Sequence, residues 1–183
     1  MKAPDSSQRT YAQVAGFTFL FYIIAGISSM GLGSESQFSD LLLLFQSFSA
    51  LVLGVTLFAL TYKQGLALAT LALTFRVVEG VQYGESAIYF AAASLLFAWL
   101  LLRGRMIPVP LAWLGVIASA LLVVILPFQL AGLFGGAMLW SSSGTWLVWL
   151  PMLVFEVVLA LWLLIKGVHV ESRKLVASTQ LGS

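Results

Sequence analysis

Six apolar runs, each near the length that crosses a bilayer, are separated by short polar breaks along this chain. A hydrocarbon core of about 30 Å takes about 20 helical residues. On that measure the pattern predicts helices over about 12–30, 40–62, 66–83, 86–102, 109–134 and 145–166. The break at Lys63-Gln64-Gly65 is a tight reversal. Residues 103–110, RGRMIPVP, carry two prolines that end the fourth helix and open the fifth. Pro127 is expected to kink the fifth helix, and Pro151 lies in the early turns of the sixth. The third and fourth runs could merge, but one helix over 66–102 would reach about 55 Å, too long for a single crossing. Gly84-Glu85-Ser86 is therefore read as a turn between them.

The fold class that follows is an all-α integral membrane protein, a six-transmembrane-helix bundle with cytoplasmic N- and C-termini. Its parts are an N-terminal segment 1–11, a transmembrane domain 12–166 and a C-terminal tail 167–183. The termini follow from charge placement. With six crossings, Lys2, Arg9, Lys63, Arg103, Arg105, Lys166, Arg173 and Lys174 fall on one side, while Glu35, Asp40 and Glu85 fall on the other. Basic residues accumulate on the cytoplasmic side of membrane proteins. Fusing the third and fourth helices would put Arg103 and Arg105 on the opposite side. Trp99, Trp113 and Trp162 fall near the predicted inner ends, and Trp140, Trp146 and Trp149 near the outer ends, as interface anchors do.

Composition agrees. The chain is 61% hydrophobic and 9% charged, against about 25% charged in soluble domains. The net charge of +2 is too small to argue for nucleic acid. There are no cysteines and one histidine, which excludes thiolate chemistry and a multi-histidine metal site. No phosphate-binding loop, dinucleotide turn, HExxH or GxSxG is present, so nothing points to an enzyme, and no cofactor is expected.

Three charges fall inside predicted spans: Arg76 and Glu79 in the third helix and Glu156 in the sixth. A charge at the bilayer centre costs about 2.5–3.5 kcal/mol on insertion scales, so such residues should face the interior and find partners. Arg76 and Glu79 are spaced i,i+3 and can meet on one face. Glu156 could approach Arg76 if the third and sixth helices pack together. One Arg with two carboxylates leaves one surplus negative charge. Tyr22, Gln46 and Gln82 complete the candidate ligand-binding set, with Tyr83, Tyr89 and Gln129 nearby in the outer half. Two readings stay open: an interior polar pocket for a small molecule, lipid or proton, or buried charges that only fix helix packing in an accessory subunit. Expected partners are membrane lipid and, as open options, a small-molecule ligand and a second copy of the chain; nucleic acid is not among them. Gly80-x3-Gly84, Gly115-x3-Ser119 and Gly132-x3-Gly136 permit close helix approach. Phe75-Arg76-Val77-Val78 resembles Phe155-Glu156-Val157-Val158, in the third and sixth spans that an inverted repeat would pair.

Three stretches resemble motifs of a known family. Phe75-Arg76-Val77-Val78-Glu79 is similar to an FRLVE-type segment. Arg105-Met106-Ile107-Pro108 through Leu111-Ala112-Trp113-Leu114-Gly115 is similar to an IPRWLxxLG-type segment. Phe155-Glu156 through Leu159-Ala160-Leu161-Trp162-Leu163-Leu164-Ile165-Lys166-Gly167 is similar to an E-x-x-LALWLLVKG ending. Together they resemble a family of bacterial multi-pass membrane proteins catalogued only as a domain of unknown function. This chain lacks the basic residue and Trp that follow the proline in the second motif. The resemblance implies a bacterial inner-membrane helical bundle with Arg76, Glu79 and Glu156 as its polar positions, and it carries no activity.

Overall fold

A computed structural model of the chain describes residues 6–32, 37–82, 86–132 and 143–168. Among them the fold is six α-helices: α1 (Ser6–Leu32), α2 (Gln37–Thr61), α3 (Leu66–Val81), α4 (Ser86–Arg103), α5 (Val109–Leu130) and α6 (Ser143–Ile165). A single 3₁₀ turn at Tyr62–Gln64 joins α2 to α3. The hydropathy pattern therefore finds every helix, and the differences lie at the ends. α1 starts at Ser6, before the apolar run, because backbone hydrogen bonding continues into polar sequence where hydropathy is silent. α5 stops at Leu130, short of residue 134, where Ala131 and Gly132 turn and Gly132 takes a φ of 79°. Left-handed backbone of this kind suits glycine and commonly closes a helix. Between α4 and α5 the same job falls to Arg105, at φ 47°. There the Met106 N–H reaches the Leu101 carbonyl and the Arg105 N–H the Leu102 carbonyl. Pro127 and Pro151 sit within α5 and α6, and both helices continue through them.

α1, α2, α5 and α6 each contain a stretch long and apolar enough to cross a membrane. α3 and α4 are shorter, at 16 and 18 residues, or about 24 and 27 Å. Each helix packs on its neighbours in the chain, and α6 returns to pack on α1, which closes a ring. In that ring α3 and α6 stand opposite each other.

The polarity is inverted relative to a soluble protein. Large apolar side chains cover the outside, with Leu147 and Ile165 each 71% exposed, while Arg76, Glu79 and Glu156 are buried within. Apolar surface of this extent is stable against lipid.

Among the described residues, the exposed basic side chains gather at one end of the bundle. Gly16 of α1 lies against Ala160 and Leu164 late in α6, and Gly104 lies against Gln64, so the 62–65 and 103–106 turns adjoin. At the other end the Ser39 hydroxyl of α2 donates to the Ser29 carbonyl of α1. Arg9, Lys63, Arg103, Arg105 and Lys166 thus sit, exposed, at the same end.

The small residues serve internal packing. Gly80 faces Ser47 and Leu51 of α2, Gly115 faces the Phe155 ring, and the Ser119 hydroxyl donates to Met152 Sδ at 3.6 Å. Trp99 and Trp113 are about half exposed, whereas Trp149 packs on Phe90. The expected 83–85 turn, Glu35, Gly136, Trp140, the Trp146 side chain and the tail from residue 169 lie outside the described residues.

Candidate functional site

The site is built on one face of α3. A three-residue step places Arg76 and Glu79 on the same side of the helix, and α3 turns that side inward. Close approach of α2 makes the fit possible: a side chain at Gly54 would meet Arg76 Cβ at 2.8 Å. Arg76 is the largest fully buried side chain, at 1% exposure. Its Nη1 donates to both Glu79 carboxylate oxygens, at 2.9 and 3.2 Å. Its Nη2 donates to Ser94 Oγ of α4 at 3.1 Å. The Tyr22 hydroxyl of α1 donates to Glu79 Oε1 at 2.8 Å.

Aromatic rings complete the surroundings of the cation. The guanidinium carbon lies 4.9 Å from the Phe90 ring centroid and 6.0 Å from that of Tyr22. The two rings are parallel within 2°. Desolvated cation–π contacts of this kind contribute roughly 2 kcal/mol. The charge of Arg76 is thus offset by Glu79 and faced by two aromatic rings, and the cluster ties α1, α3 and α4 together. Phe90 and Ser94 are members that sequence reasoning missed. Ser94 is one of few polar residues in an apolar helix, and that was the one available signal.

Glu156 stands differently. It is 5% exposed, in α6, on the far side of the ring. It makes no ion pair or hydrogen bond among the described residues, and its Oε1 is buried without a partner. α3 and α6 do not pack side by side, so the expected approach of Glu156 to Arg76 does not become a contact. Both nevertheless face the interior, and both lie within electrostatic reach of each other.

Beside Arg76 lies a cavity of about 10 Å³, lined by Ser94, Leu57, Phe97, Met152 and Phe155 among others, with Glu156 not in its lining. That is about the space of one water. Arg76 Nε is also buried without a hydrogen-bond partner.

Three other buried hydroxyls are engaged within their own helix. Ser49, Thr56 and Thr61 donate to carbonyls of their own helix, which removes them as donors to a site. Gln46 is half-buried, with its amide against Gly26 of α1, and Gln82 is exposed just past the end of α3. Neither joins the Arg76 cluster. Among the described residues no three His, Cys, Asp or Glu side chains come together as a metal site.

Comparison with known proteins adds a family. Residues 82–167 match the family described as Domain of unknown function (DUF4386). The match runs from just past α3 through α6. It includes Glu156 and two of the three sequence motifs noted above, and it stops short of Arg76 and Glu79. No curated protein and no solved structure matches the chain.

Proposed function

We propose that the chain crosses a bilayer six times, with both termini in the cytoplasm, and that its interior polar centre holds a small molecule, a lipid headgroup or a proton. The common end shared by the exposed basic residues supports this orientation, since that end belongs in the cytoplasm. α3 and α4 are a few ångströms short of a typical core, a mismatch that local thinning absorbs at small cost. The resemblance to bacterial multi-pass proteins supports the plasma membrane of a bacterium.

One observation carries the binding reading: Glu156 is a buried carboxylate with no hydrogen-bond or ion-pair partner among the described residues, opposite an Arg–Glu pair that is already balanced. A carboxylate kept only for packing would be satisfied, because an unpaired charge in a dry interior is costly. The Arg76–Glu79–Tyr22–Ser94 cluster supports a second role, a polar clamp that sets the register of α1, α3 and α4. The two roles divide the site.

The test is Glu156→Gln, which keeps the shape and removes the charge. In detergent or nanodiscs the variant should fold and assemble like the parent. The dependence of the parent's melting temperature on pH, or on sodium against choline, should disappear. A parent with no such dependence, together with a variant that is merely less stable, would leave only the clamp. The orientation is tested separately, because the chain has no cysteine. Single cysteines replacing Lys63 and Gln82 should react with an impermeant maleimide from opposite sides of the membrane.

A further inference from the structure

We infer that the species held by the polar centre is a single proton per chain, carried on Glu156. This rests on the binding reading above and names its ligand.

Charge counting comes first. Arg76 contributes one positive charge, and Glu79 and Glu156 one negative charge each. Arg76 and Glu79 cancel through two hydrogen bonds, so one added positive charge makes the interior neutral. The groups that face Glu156 do not supply it. From α3 come Arg76, paired with Glu79, and Glu79 itself; from α1 comes Tyr22, whose hydroxyl donates its hydrogen bond to Glu79. α2 and α4 bring only Asp40 and Arg103, at exposed ends, and α5 brings no charged residue. α6 carries no other charge along its length.

Size then selects among positive species. The cavity beside Arg76 is about 10 Å³, enough for one water, and Glu156 is not among its lining residues, so that space offers the carboxylate no room for an organic cation or a headgroup. A metal cation needs a shell of several oxygen ligands. Among the described residues no three His, Cys, Asp or Glu side chains come together, so Glu156 is not part of a carboxylate shell of that kind. A proton needs none of this. It adds to one carboxylate oxygen, –COO⁻ + H⁺ giving –COOH, and leaves to water by the reverse step, with no other reactant. The fixed cluster on α3 keeps Arg76 from satisfying Glu156 instead. The clamp and the proton site therefore depend on each other: Arg76 is held away from Glu156 by Glu79, Tyr22 and Ser94.

Infrared spectroscopy of the purified chain in nanodiscs near neutral pH tests this. The expected result is the carbonyl stretch of one protonated carboxylic acid per chain. It should be lost in Glu156→Gln, kept with a shifted frequency in Glu156→Asp, and weakened in Glu79→Gln, which frees Arg76 to balance Glu156 in place of the proton, with correct folding checked by melting. If no such band exists and sodium in place of choline raises the parent's melting temperature but not that of Glu156→Gln, the proton is wrong and the centre binds a metal cation. If neither the band nor the sodium effect appears, both this inference and the binding reading fall. A band that survives in Glu156→Gln would also overturn the inference.

Discussion

α3 and α6 each carry charge into the middle of an apolar bundle, and the bundle treats the two helices in opposite ways. On α3, Arg76 has a carboxylate three residues on, a serine from α4, a tyrosine relayed through Glu79 and an aromatic ring over its face. On α6, Glu156 is equally buried and has none of these among the described residues. Burial is the same, so burial cannot explain the difference. In lipid a polar group must be satisfied within the protein; in the α3 cluster only Arg76 Nε lacks a hydrogen bond among the described residues, while on α6 the whole Glu156 carboxylate makes none. Places where a fold breaks a rule it follows elsewhere are where function is to be sought.

The comparison can be broken from the α3 side. The largest effect should come from Arg76→Leu, which strands Glu79 and adds a second unpaired carboxylate to the interior. Loss of about 3–5 kcal/mol is expected, read as a large fall in melting temperature or as failure to accumulate. Gly54→Ala comes next, because the added methyl meets Arg76 Cβ at 2.8 Å. Overpacking of this kind costs about 1–3 kcal/mol, and thermal unfolding should show it. Tyr22→Phe and Ser94→Ala each remove one interhelical hydrogen bond, a change of about 0.6–1.7 kcal/mol in a membrane interior. Tyr22→Phe should be the larger of the two because its acceptor is a carboxylate. Equal melting temperatures for all four variants and the parent would mean that the cluster holds nothing together.

How much of this was legible in the sequence follows the physics of each feature. Helix number and position were readable because lipid imposes a length on every apolar run. The Arg76–Glu79 pair was readable because it is local: i,i+3 spacing suffices to bring the two groups together. Tyr22 was a candidate as a polar residue in mid-span, but its partner could not be named, since that depends on how α1 packs against α3. Glu156 was marked as a buried charge, while its lack of a partner was invisible. That absence is set by ring closure, which puts α6 opposite α3 instead of beside it. The two glutamines of the candidate set stand apart from the cluster for a related reason. Hydropathy places Gln46 and Gln82 near the membrane, but only packing shows that one lies against α1 at Gly26 and the other is exposed beyond the last turn of α3. Helix ends were the least readable, because Arg105 occupies a left-handed position where glycine is the ordinary signal.

The division between a fixed clamp and an exchangeable carboxylate is tested most directly by neutralising each glutamate in turn. Glu79→Gln and Glu156→Gln are the same chemical change at two equally buried positions, so their melting temperatures can be compared side by side in one membrane mimic. Glu79→Gln leaves Arg76 as a buried charge without its carboxylate and should lose about 3 kcal/mol or more. Glu156→Gln removes a carboxylate with no hydrogen-bond or ion-pair partner among the described residues and should melt at or above the parent. Equal losses in the two variants would contradict the account, because they would make Glu156 part of the clamp.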